Sequence, residues 1–249
     1  MPIYAIGDIH GHLDKLKQVH DLIAADRARE GLDAASVVHV GDLCDRGPDS
    51  RGVIDFLIQG QVRGENWVVL KGNHDRLMEY FLEDYPRNDS YLMVGWDWFH
   101  ERLGGIETLA SYGVEPPKPG ERLFQFHARA RAAVPETHRA FLTGLLTSYE
   151  TEDQIFVHAG IRPGIPLAEQ SETDLLWIRH EFHDDTRDHG KLIVHGHTPV
   201  DAVTHYGNRV NLDTGAGYGK AVSAVVIEGR DMWVLTAAGR VRVAPIDRS

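Results

Sequence analysis

"SVVHVGDLCDRGPDSRGVIDFLIQG", residues 36–60, carries the reading of the fold. Its first five residues form an apolar, β-branched run between Ala35 and Gly41, as expected of a short buried strand. A polar, glycine-containing loop follows, with Asp42 and Asp45 close together. "DSRGVIDFLIQG" then sets Val53, Ile54, Leu57 and Ile58 on one helical face, and Pro48 suits the helix start. The order of strand, loop and helix recurs on both sides. Upstream, "PIYAI" runs into "GDIHG" and then a helix predicted over Leu13–Glu30, apolar at Leu13, Leu16, Val19, Leu22 and Ile23, with Gly31 as its stop. Downstream, "NWVVL" ends in "KGNHD" and leads into a helical "RLMEYFLEDY". Repeated β–α units argue for a parallel sheet covered by helices, with the loops gathered at the carboxyl ends of the strands.

Residues 88–150 depart from this rhythm. "YLMVGWDWFHERLGGIETLASYGV" is rich in aromatics, "EPPKPGER" breaks the chain, and a helix is predicted over Thr137–Ser148. The segment reads as a mostly helical insert whose aromatics serve the core. From residue 154 strands return: "QIFVHAG" and "KLIVHGHT" each end in histidine and glycine. "NRVNLDTG", "AVSAVVIEG" and "DMWVLTAAG" follow with no helix between them and are expected to pair antiparallel. The fold class is therefore α/β, in the sense of an α+β sandwich. Two mixed sheets flanked by helices share one active rim, within a single domain over residues 1–249.

The bulk numbers narrow the function. At 42% hydrophobic over 249 residues the chain can bury a sizeable core, which argues against disorder. A net charge of −11 without a basic run disfavours an extended nucleic-acid surface. No apolar run approaches the ~20 residues of a membrane span, so no membrane partner is expected. A single cysteine, Cys44, fits a reducing compartment, and it reads as a small buried residue packed under its loop. "MPIYAIGDIHGH" has no basic, apolar leader, so the cytoplasm is the expected location.

Five loops concentrate the chemistry: "GDIHG" (7–11), "GDLCDRG" (41–47), "GNHD" (72–75), "HAG" (158–160) and "HGHT" (195–198). Each puts Asp, Asn or His within two residues of a glycine at the end of an apolar run. Mixed oxygen and imidazole donors suit divalent metals, and glycine lets the backbone turn sharply enough for short side chains to converge. Any one loop is an ordinary turn; five at strand ends are not.

Together these loops resemble the calcineurin-like metallophosphoesterases and, within them, the phosphoprotein phosphatase family of the bacterial serine/threonine protein phosphatase type. The resemblance spans residues 7–198. It implies a metal site in which Asp8 and His10 hold one ion, Asp42 bridges two, and Asn73, His158 and His197 hold the second, with His195 behind the ligands. It implies two divalent ions, manganese first, with iron or zinc as alternatives. It further implies hydrolysis of phosphomonoesters, notably phosphoserine and phosphothreonine in proteins, by a hydroxide held between the ions. His74 acts as general acid, Asp45 orients it, and Arg46 grips the phosphate. Arg179 in "LLWIRHEF" is a second candidate clamp.

The alternative is a symmetrical dinucleoside tetraphosphatase, whose members share RGP-x-S but usually lack the aspartate of the DRG triplet. On that resemblance Asp45 favours monoester chemistry, because a serine alkoxide needs a proton more than a nucleotide does. Partners are then a phosphoprotein or a small phosphoester. "NLDTGAGYGKAVSA" precedes a strand rather than a helix, which speaks against a dinucleotide or P-loop site. It is read as a hairpin or as a rim loop with Tyr218 near substrate.

Overall fold

The computed structural model describes residues 1–247. The first three strands form as the apolar runs require: β1 (Ile3–Ile6), β2 (Val37–His39) and β3 (Trp67–Val69). They pair in parallel in the order β1-β2-β3. The crossovers are α1 (Leu13–Glu30), ended by Gly31 in the left-handed conformation, and α2 (Ser50–Val62). α2 begins after Pro48, because the Asp49 side chain caps it by accepting from Gly52 N. The third helix, α3 (Asn73–Leu82), starts inside the "GNHD" loop itself.

The segment predicted as mostly helical runs through turns until α4 (Gly105–Ser111), followed by α5 (Leu123–Ala133) and α6 (Glu136–Thr143). The helix expected over Thr137–Ser148 stops at Thr143, since Gly144 ends it, and Ser148 opens strand β4 (Ser148–Glu150). α5 was not foreseen.

The second sheet comprises β4, β5 (Gln154–Val157), β6 (Leu192–His195), β7 (Thr204–His205) and β8 (Arg209–Asn211), in the order β4-β5-β6-β8-β7. Between β5 and β6 lie the short helices α7 (Glu172–Trp177) and α8 (His180–His183). The expectation of one antiparallel set at the end of the chain fails at β8, which pairs in parallel with β6. It lies between β6 and the edge strand β7, which hairpins onto it antiparallel. β9 (Ala224–Glu228), β10 (Asp231–Thr236) and β11 (Gly239–Arg242) do pair antiparallel, and β9 joins β1 to complete the six-stranded sheet.

Alternation along each strand builds the layers. Ile3 and Ala5 of β1 face the second sheet, meeting Phe156, Val194 and Val210 in one core, while Tyr4 and Ile6 face the helices with Leu16, Ile23 and Ile54. Ile155 and Val157 of β5 pack outward on Leu175, Ile178 and Phe182. Both sheets thus put the carboxyl ends of β1, β2, β3, β5, β6 and β8 on one rim. Among the described residues no helix is long and apolar enough to cross a membrane.

Candidate metal centre

The rim loops converge because neighbouring backbones approach closely. A Cβ on Gly72 would lie 2.1 Å from Asp42 Oδ1, and one on Gly196 would lie 1.9 Å from Asp8 Oδ1. Among the described residues, the non-glycine positions with positive φ are His10, Asp42, Asp45, Arg46 and His197. All of them are candidate site residues, so backbone strain is concentrated where these side chains must converge.

Among the described residues, two groups of side chains offer ligand atoms within 4.8 Å of one another: His10, Asp42 and His74, and Asp42, His158 and His197. Asp42 belongs to both, with Oδ2 3.4 Å from His10 Nε2 and Oδ1 3.3 Å from His158 Nε2. The imidazoles are oriented from behind. His10 Nδ1–H donates to Cys44 O (3.0 Å) and His158 Nδ1–H donates to Val40 O (2.9 Å), which leaves each Nε2 lone pair facing the centre. Asn73 Oδ1 stands 2.9 Å from His158 Nε2 and 2.8 Å from His197 Nδ1.

The donor set fits a divalent cation. The His158 Nε2 lone pair faces two oxygens, from Asn73 and Asp42, with no hydrogen to share between them. Such a cluster of buried acceptors is satisfied by a cation. Electrostatics point the same way. Burial and the neighbouring Asp213 and Asp42 push the Asp8 carboxyl well above its ordinary range, and burial raises Asp42. Burial lowers His10, His158 and His197, with His158 at about 4, so these imidazoles are neutral and able to ligate.

Asp8 lies outside both groups: its carboxylate accepts from His197 N at 3.0 Å and is repelled by the neighbouring Asp213. Asp213 is the buried carboxylate that sequence reasoning missed. Its signal was there, in an acidic residue followed by Thr-Gly at the end of the apolar "VNL". His195 points away from the centre, with Nε2 accepting from Arg209 at 3.0 Å.

On the other side of Asp42, His74 Nδ1–H donates to Asp45 Oδ2 at 2.7 Å, and its Nε2 accepts from Arg46 Nη2 at 3.0 Å. Burial pushes His74 down to about 3 and Asp45 up to about 7. Arg46 also donates to His10 Nε2 (2.8 Å) and lies 5.1 Å from the centre of the Tyr218 ring. Arg179 Nε donates to His197 Nε2 at 3.1 Å. Cys44 is fully buried, and burial raises its thiol pKa well above the usual value. The segment 88–150 reaches this site unexpectedly: Trp98 Nε1–H (2.9 Å) and Thr108 Oγ–H (2.7 Å) both donate to the Asp45 carboxylate.

A cleft of about 520 Å³ opens beside Asp42, Asn73, His74 and His197. Its walls carry Tyr91, Trp96, Trp177 and Tyr218, and its charged groups include Arg46, Arg102 and Arg179. Arg76 and Asp89, both buried and 2.6 Å apart, brace the wall, and Asp89 accepts from Trp177 Nε1 (3.1 Å) and Tyr91 N (2.9 Å).

A protein of Geobacillus thermodenitrificans named bis(5'-nucleosyl)-tetraphosphatase PrpE (asymmetrical) is 29% identical, covering 90% of each chain. One of the same name from Anoxybacillus flavithermus is 28% identical over 88% of each. The solved structure of a cold-active protein-tyrosine phosphatase from a psychrophilic Shewanella species superposes with a TM-score of 0.56 at 16% identity, covering 98% of this chain and 80% of that one. The likeness to that structure is one of fold. A family model described as calcineurin-like phosphoesterase matches residues 1–227, the stretch that contains every rim loop described above. The chain belongs to the calcineurin-like phosphoesterase family, a family of dimetal hydrolases.

Proposed function

We propose that the chain is a divalent-metal-dependent hydrolase of nucleotide polyphosphates, dinucleoside tetraphosphates among them. The observation that carries this reading is the cleft. Aromatic walls next to three arginines and the metal-ligand cluster suit a substrate with flat bases on a polyanionic chain. A phosphoserine side chain offers no ring to such walls. The names of the relatives support the same substrate class and favour asymmetrical over symmetrical cleavage.

In this reading His10, Asp42, Asn73, His158 and His197 would hold two divalent ions, with Asp8 beside them, and manganese is the first candidate. When bound, such ions lower the pKa of water and polarise phosphoryl oxygens. The remaining work falls to the chain. Arg46 and Arg179 bind the phosphate oxygens as guanidinium forks, and Tyr91, Trp96 and Trp177 hold the base. His74 lines the cleft; once protonated at Nε2, the nitrogen that otherwise accepts from Arg46, it delivers a proton to the leaving oxygen, while Asp45 fixes the opposite ring nitrogen. An entering phosphate adds the negative charge that favours the imidazolium.

A second reading is hydrolysis of phosphomonoesters, including phosphoserine and phosphothreonine. The His74–Asp45 pair favours it, because a proton donor matters most for a basic leaving group. One experiment separates the two. Rates with manganese are compared on diadenosine tetraphosphate, a phosphoserine peptide and a phosphotyrosine peptide. The nucleotide is expected to be cleaved at least about tenfold more efficiently, to ATP and AMP. Two ADP molecules would make the cleavage symmetrical, and preference for a phosphopeptide would overturn the proposal.

A further inference from the structure

Asp45 is completely buried, yet it is tightly held. Its Oδ2 accepts from His74 Nδ1 at 2.7 Å and from Trp98 Nε1 at 2.9 Å, and its Oδ1 accepts from Thr108 Oγ1 at 2.7 Å. The Thr108 hydroxyl oxygen in turn accepts from Asp45 N at 2.8 Å. Thr108 therefore spans the backbone and side chain of one residue, which fixes the side-chain torsion. Ser50 Oγ backs the arrangement, 3.0 Å from Thr108 Oγ1 and 3.2 Å from Asp45 N. Trp98 and Thr108 are buried and lie outside the cleft lining, so neither can touch a substrate there. Both come from the segment between the halves of the sandwich. That segment presses on the loop after β2, where a Cβ on Gly104 would fall 2.2 Å from Arg46 N.

We infer that Trp98 and Thr108 are positioning residues for proton delivery, holding the Asp45 carboxylate in the one orientation that receives His74. The inference rests on the reading of His74 as the proton donor. A carboxylate has about four lone-pair sites, and these donors with His74 occupy most of them. Removing either donor leaves a buried acceptor short of a partner and frees the carboxylate to turn. His74 then loses its fixed ring plane, while the metal ligands and the arginines stay in place. The segment 88–150 thus reaches the chemistry through Asp45.

The test uses the manganese-loaded chain with p-nitrophenyl phosphate and an alkyl phosphate of the same charge. Thr108→Val removes the hydroxyl at constant shape, Thr108→Ser restores it, and Trp98→Phe keeps the ring and deletes the N–H. The expected result is an alkyl-ester kcat about tenfold lower in Thr108→Val and Trp98→Phe, with KM and the aryl-ester rate changed less than about threefold. Thr108→Ser recovers the loss, and neither substitution adds to Asp45→Asn. Equal losses on both esters, or additivity with Asp45→Asn, overturn the inference. If Asp45→Asn and His74→Asn are themselves indifferent to the leaving group, the proton-donor reading falls and the inference with it. If they are selective and the other two are not, only the inference falls. A readout independent of turnover is the downfield proton resonance of His74 Nδ1–H in the zinc-loaded chain, assigned by its loss in His74→Asn. It should shift and exchange faster in Thr108→Val and Trp98→Phe, and an unmoved resonance overturns the proposal.

Discussion

Asp26, at the far end of α1, and Asp42, on the rim, are 1% and 2% exposed, yet their surroundings are opposite. Asp26 is surrounded by donors. Arg240 reaches it at 2.8 Å, Tyr4 OH donates at 2.8 Å, and Arg29 closes a third side. Burial pushes its carboxyl up, but the hydrogen bonds from Arg240 and Tyr4 outweigh this and hold it below the ordinary range. Asp42 accepts from the backbone N–H of His74 at 3.1 Å and otherwise sits among acceptors. Burial raises it, His74 and Arg46 offset that only in part, and Asp213 raises it further. One aspartate is matched within the chain and serves stability. The other is left unmatched, and its charge is available to a ligand from outside.

The largest effect should come from breaking the unmatched side. Asp42→Asn, assayed with excess manganese, is expected to lose about a thousandfold in kcat, as removal of a group shared by two ions would require. In chelator the same variant should melt no lower than the parent, because a repelled charge has gone. Activity within tenfold of the parent would break the contrast. Asp26→Asn should do the reverse. It is expected to lose about 3 kcal/mol of stability, a fall of roughly 6–12 °C in melting temperature, and to keep its rate at 25 °C within about twofold. Chelation of the parent should lower the melting temperature by roughly 5–10 °C relative to metal at a hundred times its dissociation constant, and this step should shrink in Asp42→Asn.

The pH dependence sharpens the comparison. Asp26 has a folded pKa below its unfolded value, so its contribution is full above about pH 4 and is lost as pH falls through the folded pKa. The stability gap between the parent and Asp26→Asn should therefore narrow in acid. Asp213 has a raised folded pKa, so its charge weakens the chelated fold above that pKa and ceases to do so as pH falls. Asp213→Asn should accordingly stabilise the chelated chain at pH 8, with the gain fading toward acid. Denaturant midpoints from about pH 8 down to about pH 2 would show the opposite trends. Smallest of all, Arg29→Ala removes a half-exposed arginine from a carboxylate that keeps Arg240, and should leave the melting temperature nearly unchanged.

The rim side of this contrast was legible in the sequence because all but one of the candidate ligands stand beside a glycine at the end of an apolar run. Asp8, His10, Asp42, Asn73 and His197 follow that rule, His158 stands one residue short of Gly160, and the fold gathers such ends on one edge. Asp26 was illegible, since its partners Tyr4 and Arg240 lie 22 and 214 residues away and no local pattern links them. Trp98 was read as core, which its burial bears out, but the direction of one N–H decides that it also reaches Asp45. β8 was assigned to an antiparallel set because a short strand states its length and polarity but not its neighbour. The helix placed over Thr137–Ser148 overran Gly144, where a breaker was overlooked.

The left-handed backbone at His10, Asp42, Asp45, Arg46 and His197 bears on whether the rim loops can be moved elsewhere. Each such residue costs about 1–2 kcal/mol outside a frame that enforces it. A peptide spanning residues 36–60, or the same loop grafted onto another scaffold, would relax to right-handed conformations and turn its carboxylates apart. The three motifs that hold these residues, GDIHG, GDLCDRG and HGHT, are therefore not portable cassettes. They acquire their geometry only from the two sheets that hold them together.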